Sequence, residues 1–272
     1  MIGRIIIAFL FIPLLVLLVL LDNPMLYNIL ITLGLFIGLL EYSSMMKKGG
    51  VKIFTVINAL FFAAVLVGLA KFRVSAVNVE FLYRTFTLII VYAVAVTIFS
   101  LVNKDIKESV LRIVFSIFGV FYIVILGSSL FFVRSIGPYQ TLFLFAVVWI
   151  YDSGAYFVGS KFGRNKITPI ISPKKSLEGL IGGIIIALLV ITLFKYFKYT
   201  EAFVPYNNLS HIYTIVIILC LAAQAGDLLE SLLKRYCGVK DSSNLLLEHG
   251  GILDKLDSFL VATPVYLLLA VM

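Results

Sequence analysis

Residues 113–133 read Ile113-Val-Phe-Ser-Ile-Phe-Gly-Val-Phe-Tyr-Ile-Val-Ile-Leu-Gly-Ser-Ser-Leu-Phe-Phe-Val133, with no charged side chain in the run. A helix of roughly 20 apolar residues crosses a bilayer core of about 30 Å, so this run is long enough to span a membrane. Outward from it, similar runs occupy Ile5–Leu21, Met25–Tyr42, Ile53–Ala70, Phe86–Val102, Tyr139–Gly159, Leu177–Leu193, Ile212–Leu233 and Ser258–Met272, the last of them short. Lipid offers no partner to free backbone N–H and C=O groups, so such runs form helices. A barrel would show short alternating segments, which are absent here. The expected fold is all-α, a polytopic transmembrane helical bundle of about nine spans. Composition agrees. The 272 residues are 62% hydrophobic and 13% charged, against about 25% charged in soluble domains, and the mean hydropathy is +1.11.

Arg4 before the first run imitates a signal peptide, but no A-x-A-like cleavage site follows and further spans do, so the run reads as a retained span. The expected organisation is one integral membrane unit. Spans 1–5 fall in residues 1–135, and spans 6–9 with their loops in residues 136–272. With nine spans, one side of the membrane receives the N-terminus and the loops after spans 2, 4, 6 and 8, and with them sixteen of the 22 Lys and Arg residues. Basic loops stay inside. The bias therefore predicts a cytoplasmic N-terminus and cytoplasmic loops after spans 6 and 8, in a bacterial-type inner (cell) membrane. Cys220 lies in an apolar run and Cys237 in a basic segment, so both are expected as unpaired thiols. The net charge of +8 suits anionic lipid, nucleic acid or an anionic substrate.

Those two loops hold the unusual residues. In the first, Asp152 interrupts an apolar helix, and Lys161, Arg164, Lys166, Lys174 and Lys175 follow among glycines, Ser172 and Ser176. An acid at membrane depth costs about 3 kcal/mol and usually faces protein or water. Cations, hydroxyls and approachable amides suit phosphate. Pro173 should break any helix, leaving Ser176 or a neighbour to cap the next span. A basic loop resting on anionic lipid headgroups is the plainer alternative.

In the second, Asp227, Glu230, Ser231 and Lys234 share one helical face at offsets 0, 3, 4 and 7, and Asp254 and Asp257 share another. Carboxylates at two converging helix ends suit a hard cation such as Mg²⁺, which takes one or two carboxylates and then phosphate oxygens. A salt-bridged cap at the membrane interface is the plainer alternative. His249 precedes Gly250-Gly251. No HExxH or Cys pair supports zinc, and backbone at the diglycine can approach an anion closely. Trp149 and the many Phe and Tyr residues read as packing or interface anchors.

The segment Ser231–Asp257 resembles the signature of the phosphatidate cytidylyltransferases (CDP-diacylglycerol synthases), S-x-x-K-R-x4-K-D-x5-P-G-H-G-G-x-x-D-R-x-D. Ser231, Lys234, Arg235, Lys240, Asp241, His249, Gly250, Gly251, Asp254 and Asp257 fit it. Asp152–Gly183, with Ser172-Pro-Lys-Lys-Ser-Leu-Glu-Gly179, is also similar to the family, whereas the N-terminal half is similar only in hydropathy. Leu247-Glu248 replaces the family's Pro-Gly, and Lys255 its Arg. Lys keeps the charge but loses the bidentate fork, and Glu248 sets a negative charge beside an expected triphosphate site.

The resemblance implies transfer of a cytidylyl group from CTP to phosphatidic acid, giving CDP-diacylglycerol and pyrophosphate. It implies Mg²⁺ as cofactor, a second cation being open, with Asp227, Asp254 and Asp257 as metal ligands and Glu230 beside them. Lys234 and Asp152 join these as catalytic residues. Arg235, Lys240, His249, Gly250 and Gly251 would bind nucleotide phosphates. Ser172, Lys174, Lys175, Ser176 and Lys166 would hold the lipid phosphate or pyrophosphate. Membrane lipids are expected partners and nucleic acid is not; the oligomeric state, a homodimer included, stays open. A CTP-dependent polyprenol or phytol kinase is the nearest alternative, and a membrane transporter is the alternative of another class. The dense acidic pattern of CDP-alcohol phosphotransferases is absent.

Overall fold

The computed structural model describes residues 12–70, 79–102, 105–196, 208–246 and 250–271. It is a helical bundle. After a helical stretch at 12–20 come α1 (Met25–Lys48), α2 (Thr55–Ala70), α3 (Val79–Leu101), α4 (Ile106–Gly119), α5 (Leu126–Ile136), α6 (Pro138–Phe162), α7 (Leu177–Tyr196), α8 (Leu209–Tyr236) and α9 (Leu253–Val271). The decisive apolar run lies in α4 and α5, joined by a π-helical turn, Val120–Ile125, into one rod of 31 residues. Its length, about 46 Å, exceeds the bilayer core. The excess is its polar first turns, where Asp105 accepts from the Lys107 and Glu108 amides as N-cap.

Each apolar segment with described residues coincides with a helix; residues 5–11 of the first segment and Met272 of the last lie outside the described residues. Among the described residues, five helices are long and apolar enough to cross a membrane: α1, the α4–α5 rod, α6, α7 and α8. The chain is an integral membrane protein of the helical kind. Helix α7 shows how lipid and protein faces separate. Gly179, Gly183, Ala187 and Ile191 are buried, while Ile181, Ile185, Leu189 and Leu193 are exposed. Both sets recur every four residues, so they occupy opposite faces. In a bilayer the exposed stripe meets acyl chains.

The small buried residues let α6 and α7 pack backbone to backbone. A methyl on Gly183 would stand 2.9 Å from the Tyr151 carbonyl oxygen, and one on Gly179 would stand 2.9 Å from that of Ala155. Glycines four apart on a membrane helix serve such close approach. Helix α9 packs on α8, α5 and α1, which ties the last helix to the first half of the chain. Trp149 lies among Phe145 and Phe259, as packing. Cys220 and Cys237 are free thiols.

One element departs from the all-α expectation. Between α6 and α7 the chain forms an antiparallel hairpin, β1 (Lys166–Thr168) and β2 (Ser172–Ser176). Pro169 opens its turn and Pro173 sits in β2, so neither strand can be helical. Lys166 pairs with Ser176 and Thr168 with Ser172, leaving Pro173-Lys-Lys175 opposite Ile167 alone. Proline without an N–H belongs in such a bulge, which also re-aims the side chains that follow it.

Candidate active site at the ends of α8 and α9

Helix α8 ends in a Schellman turn. The Val239 amide donates to the Lys234 carbonyl at 2.9 Å and the Gly238 amide to that of Arg235 at 3.1 Å, with Gly238 at φ +67°. The last turns therefore stay helical, and the face read from the spacing forms. Ser231 Oγ donates to Asp227 Oδ1 at 3.3 Å, and Lys234 pairs with Glu230. Lys234 reaches across to α9 as well, where Nζ lies 2.6 Å from Asp254 Oδ1. From the hairpin, Lys175 Nζ meets Asp227 Oδ2 at 2.5 Å. Arg235 Nε donates to the Ile171 carbonyl at 3.1 Å, and its Nη1 to that of Val239 at 3.1 Å. The Arg235–Ile171 bond and the Lys175–Asp227 ion pair dock the hairpin on α8.

Asp254 occupies the first turn of α9, where the helix dipole favours an anion. Its Oδ2 accepts from the Ser242 amide (2.9 Å), Ser242 Oγ (2.6 Å) and the Gly251 amide (2.8 Å). With Lys234 on Oδ1, protein donors engage both oxygens. Asp257 is buried, within electrostatic reach of Asp227 and Glu230. Asp152 stands on the exposed side of α6 and lies near Asp227, Lys175 and Ser258. Thus Asp152, Lys175, Asp227, Glu230, Ser231, Lys234, Asp254 and Asp257 converge.

Other expected residues have different surroundings. Ser176 accepts from the Gly179 amide at 3.2 Å and caps α7, as its place after Pro173 suggests, so its hydroxyl is engaged there. Gly250 is left-handed, φ +78°, and a methyl on it would stand 2.7 Å from Asp254 Oδ2; it and Gly251 shape the carboxylate's cradle. Lys166, Lys174 and Lys240 are exposed on the rim, and Ser172 is half-buried in β2. Lys166 Nζ reaches the Gly163 carbonyl at 3.4 Å. His249 lies outside the described residues.

Two acids escaped the sequence reading. Glu178 accepts from the Arg164 amide and from the Asn165 amide and side chain, tying the hairpin's entry to α7. Glu41, buried on α1, accepts from Ser243 Oγ and the Leu253 amide beside the Asp254 cradle. The available signal for Glu41 was an acid inside the apolar run Met25–Tyr42.

Fold and site together define a polytopic membrane protein with a carboxylate–lysine cluster where α8, α9 and the hairpin meet. The chain belongs to the cytidylyltransferase family, whose sequence profile it matches over residues 2–272. It is 46% identical to a phosphatidate cytidylyltransferase of Bacillus subtilis (strain 168) over 144 residues, 51% of this chain and 51% of that protein. It is 39% identical to one of Staphylococcus haemolyticus over 167 residues, 61% of this chain and 62% of that protein. A third, from Staphylococcus aureus (strain COL), is 44% identical over 132 residues, 48% of each chain. The matched stretches thus span about half to three-fifths of these relatives' length.

Proposed function

We propose that the chain transfers the cytidylyl group of CTP to phosphatidic acid, producing CDP-diacylglycerol and pyrophosphate for phospholipid synthesis. The observation that carries this reading is the convergence of the hairpin, α8 and α9 on one cluster of acids and lysines at helix ends. A water-borne nucleotide and a lipid headgroup can both reach such a site. The similar proteins bearing the name phosphatidate cytidylyltransferase support it.

In the proposed reaction a phosphate oxygen of the lipid attacks the α-phosphorus of CTP. The new P–O bond forms as the bond to the α–β bridging oxygen breaks, and pyrophosphate leaves with that electron pair. The nucleophile is already anionic, so no side chain need supply one. The catalytic task is to hold two anions in line and offset charge at the α-phosphate. Lys175 and Lys234 are the ammonium groups set among the carboxylates, and they would meet phosphate oxygens as these arrive. Arg235, Lys240, His249, Gly250 and Gly251 would hold the nucleotide's phosphates. Lys174, Lys166 and the Ser172 hydroxyl would form the lipid-phosphate side, next to the α7 N-terminus that Ser176 caps.

The donor set suits Mg²⁺. Asp152, Asp227, Glu230, Asp254 and Asp257 outnumber Lys175 and Lys234, and such a cluster repels a triphosphate unless another cation joins it. Among the described residues no three acidic, His or Cys side chains stand as a ready ligand set. Mg²⁺ takes one or two protein carboxylates and fills its shell with water and phosphate oxygens. Asp227 and Asp257 would hold it, with Asp152 in the same acidic wall, while Asp254 and Glu230 engage Lys234. Bound there, the ion would neutralise charge on the phosphates. The Lys and Arg bias supports a cytoplasmic N-terminus and active-site loops in a bacterial cell membrane.

The test uses purified protein in mixed micelles with radiolabelled CTP and phosphatidic acid, with and without Mg²⁺. The expected result is a cytidine-bearing lipid and an equal amount of pyrophosphate, both requiring Mg²⁺. Asp254→Asn should lower the rate roughly 10²-fold. In a parallel reaction with a polyprenol in place of phosphatidic acid, release of CDP with polyprenyl phosphate, and no cytidine-bearing lipid from phosphatidic acid, would overturn the reading in favour of a kinase.

A further inference from the structure

We infer that Glu41 is a positioning residue for this site, a carboxylate from the N-terminal half that clamps the stretches at 242–243 and 250–253 and, through them, orients Asp254. The inference rests on the cytidylyltransferase reading above. Glu41 is 6% exposed. Its Oε1 accepts from Ser243 Oγ at 2.6 Å and the Ile252 amide at 3.1 Å. Its Oε2 accepts from the Leu253 amide at 2.8 Å and lies 3.2 Å from Ser242 Oγ. Leu253 opens α9, so its amide has no partner within its own helix, and Glu41 supplies one. One side chain thus pins both stretches.

The same stretches carry the donors that hold Asp254. Ser242 gives Asp254 both its amide and its hydroxyl, and Gly251 gives its amide. Ser242 Oγ therefore stands between two carboxylates. The space is closed, for a methyl on Gly251 would meet Ser242 Oγ at 2.2 Å and Glu41 Oε2 at 2.5 Å. The Ser242 hydroxyl has one hydrogen, which goes to the nearer Asp254. Three donors, the Ser243 hydroxyl and the Ile252 and Leu253 amides, converge on Glu41, and a carboxylate accepts all three without offering a hydrogen in return. A glutamine would turn its NH₂ toward N–H or O–H donors. Helix α1 holds the carboxylate in place because Gly38, one turn earlier, packs against the Leu253 side chain.

The experiment compares wild type, Glu41→Gln, Ser242→Ala and the double variant as full chains in the mixed-micelle assay. It reads kcat and KM for CTP, Tm, and amide hydrogen exchange along the chain. Glu41→Gln is expected to lower kcat roughly tenfold or more while Tm indicates a folded protein, with faster exchange concentrated at 242–243 and 250–253. Both substitutions act through the same stretches, so the double variant should fall within about twofold of the weaker single variant. A kcat within twofold of wild type, independent multiplication of the two effects, or unchanged exchange would overturn the role. If Glu41→Gln does not fold, Ser243→Ala removes one donor and leaves the carboxylate. It should lower kcat about threefold and speed exchange in the same stretches, and wild-type values in both would overturn the clamp. Absence of cytidylyl transfer in wild type would instead sink the proposed function, and hydrogen exchange, which needs no activity, would then judge the clamp alone.

Discussion

Lys234 shows how much one side chain carries here. It is 9% exposed and pairs with Glu230, which is wholly buried, and with Asp254. Deleting one partner of such a group leaves buried charge uncompensated, at a cost of about 3–5 kcal/mol. Lys234→Met should therefore depress the Tm of the detergent-solubilised protein and abolish turnover. Adding Glu230→Gln should restore much of the Tm without restoring turnover, because a lost pair costs less than a stranded charge. A Lys234→Met protein that melts with wild type would contradict this balance. At this scale the sequence was readable where partners share a helix: the offsets from Asp227 to Lys234 predicted their common face. Glu41 and Ser242 are 201 positions apart, and no periodicity links residues so distant. Nor did the diglycine in the sequence show that the Gly251 amide donates to Asp254.

At the scale of elements, the site depends on how closely α6 and α7 approach, because the hairpin that delivers Lys175 joins their ends. That approach uses glycine. Besides the Tyr151 carbonyl oxygen, a methyl on Gly183 would meet Ala155 Cβ at 3.0 Å, contacts that include backbone and cannot all yield. Gly183→Leu should force the helices apart, costing about 1–3 kcal/mol or more, and should displace Lys175 from Asp227. The expected readout is a lower Tm together with lost turnover. Gly68→Leu is the control, since a methyl there meets nothing within 4 Å and should leave Tm unchanged. Equal Tm values for the two variants would refute the close-packing account. Pro173 and Ser176 announced the start of α7 in the sequence. The hairpin did not announce itself, because three residues of β1 are too few to show an alternation and the bulge in β2 disrupts the rest.

For the whole molecule, apolar run length was the readable quantity, since lipid removes every backbone solution except the helix. Which helices cross was less readable. Leu253–Val271 carries Asp254, Lys255 and Asp257 in its first turns, so its apolar part is short, and its neighbours decide its place. Orientation follows from charge and can be tested directly. The proposed arrangement sets the α6–α7 hairpin inside and the turn before α1 outside. Native Cys220 and Cys237 are buried, so background labelling by a membrane-impermeant maleimide should be low. Asn23→Cys, at an exposed turn, should react in intact cells. Lys174→Cys, exposed on the hairpin, should react only after the membrane is opened. The reverse pattern would put the carboxylate–lysine cluster on the side away from cytoplasmic CTP, and the proposed reaction would then lack its nucleotide.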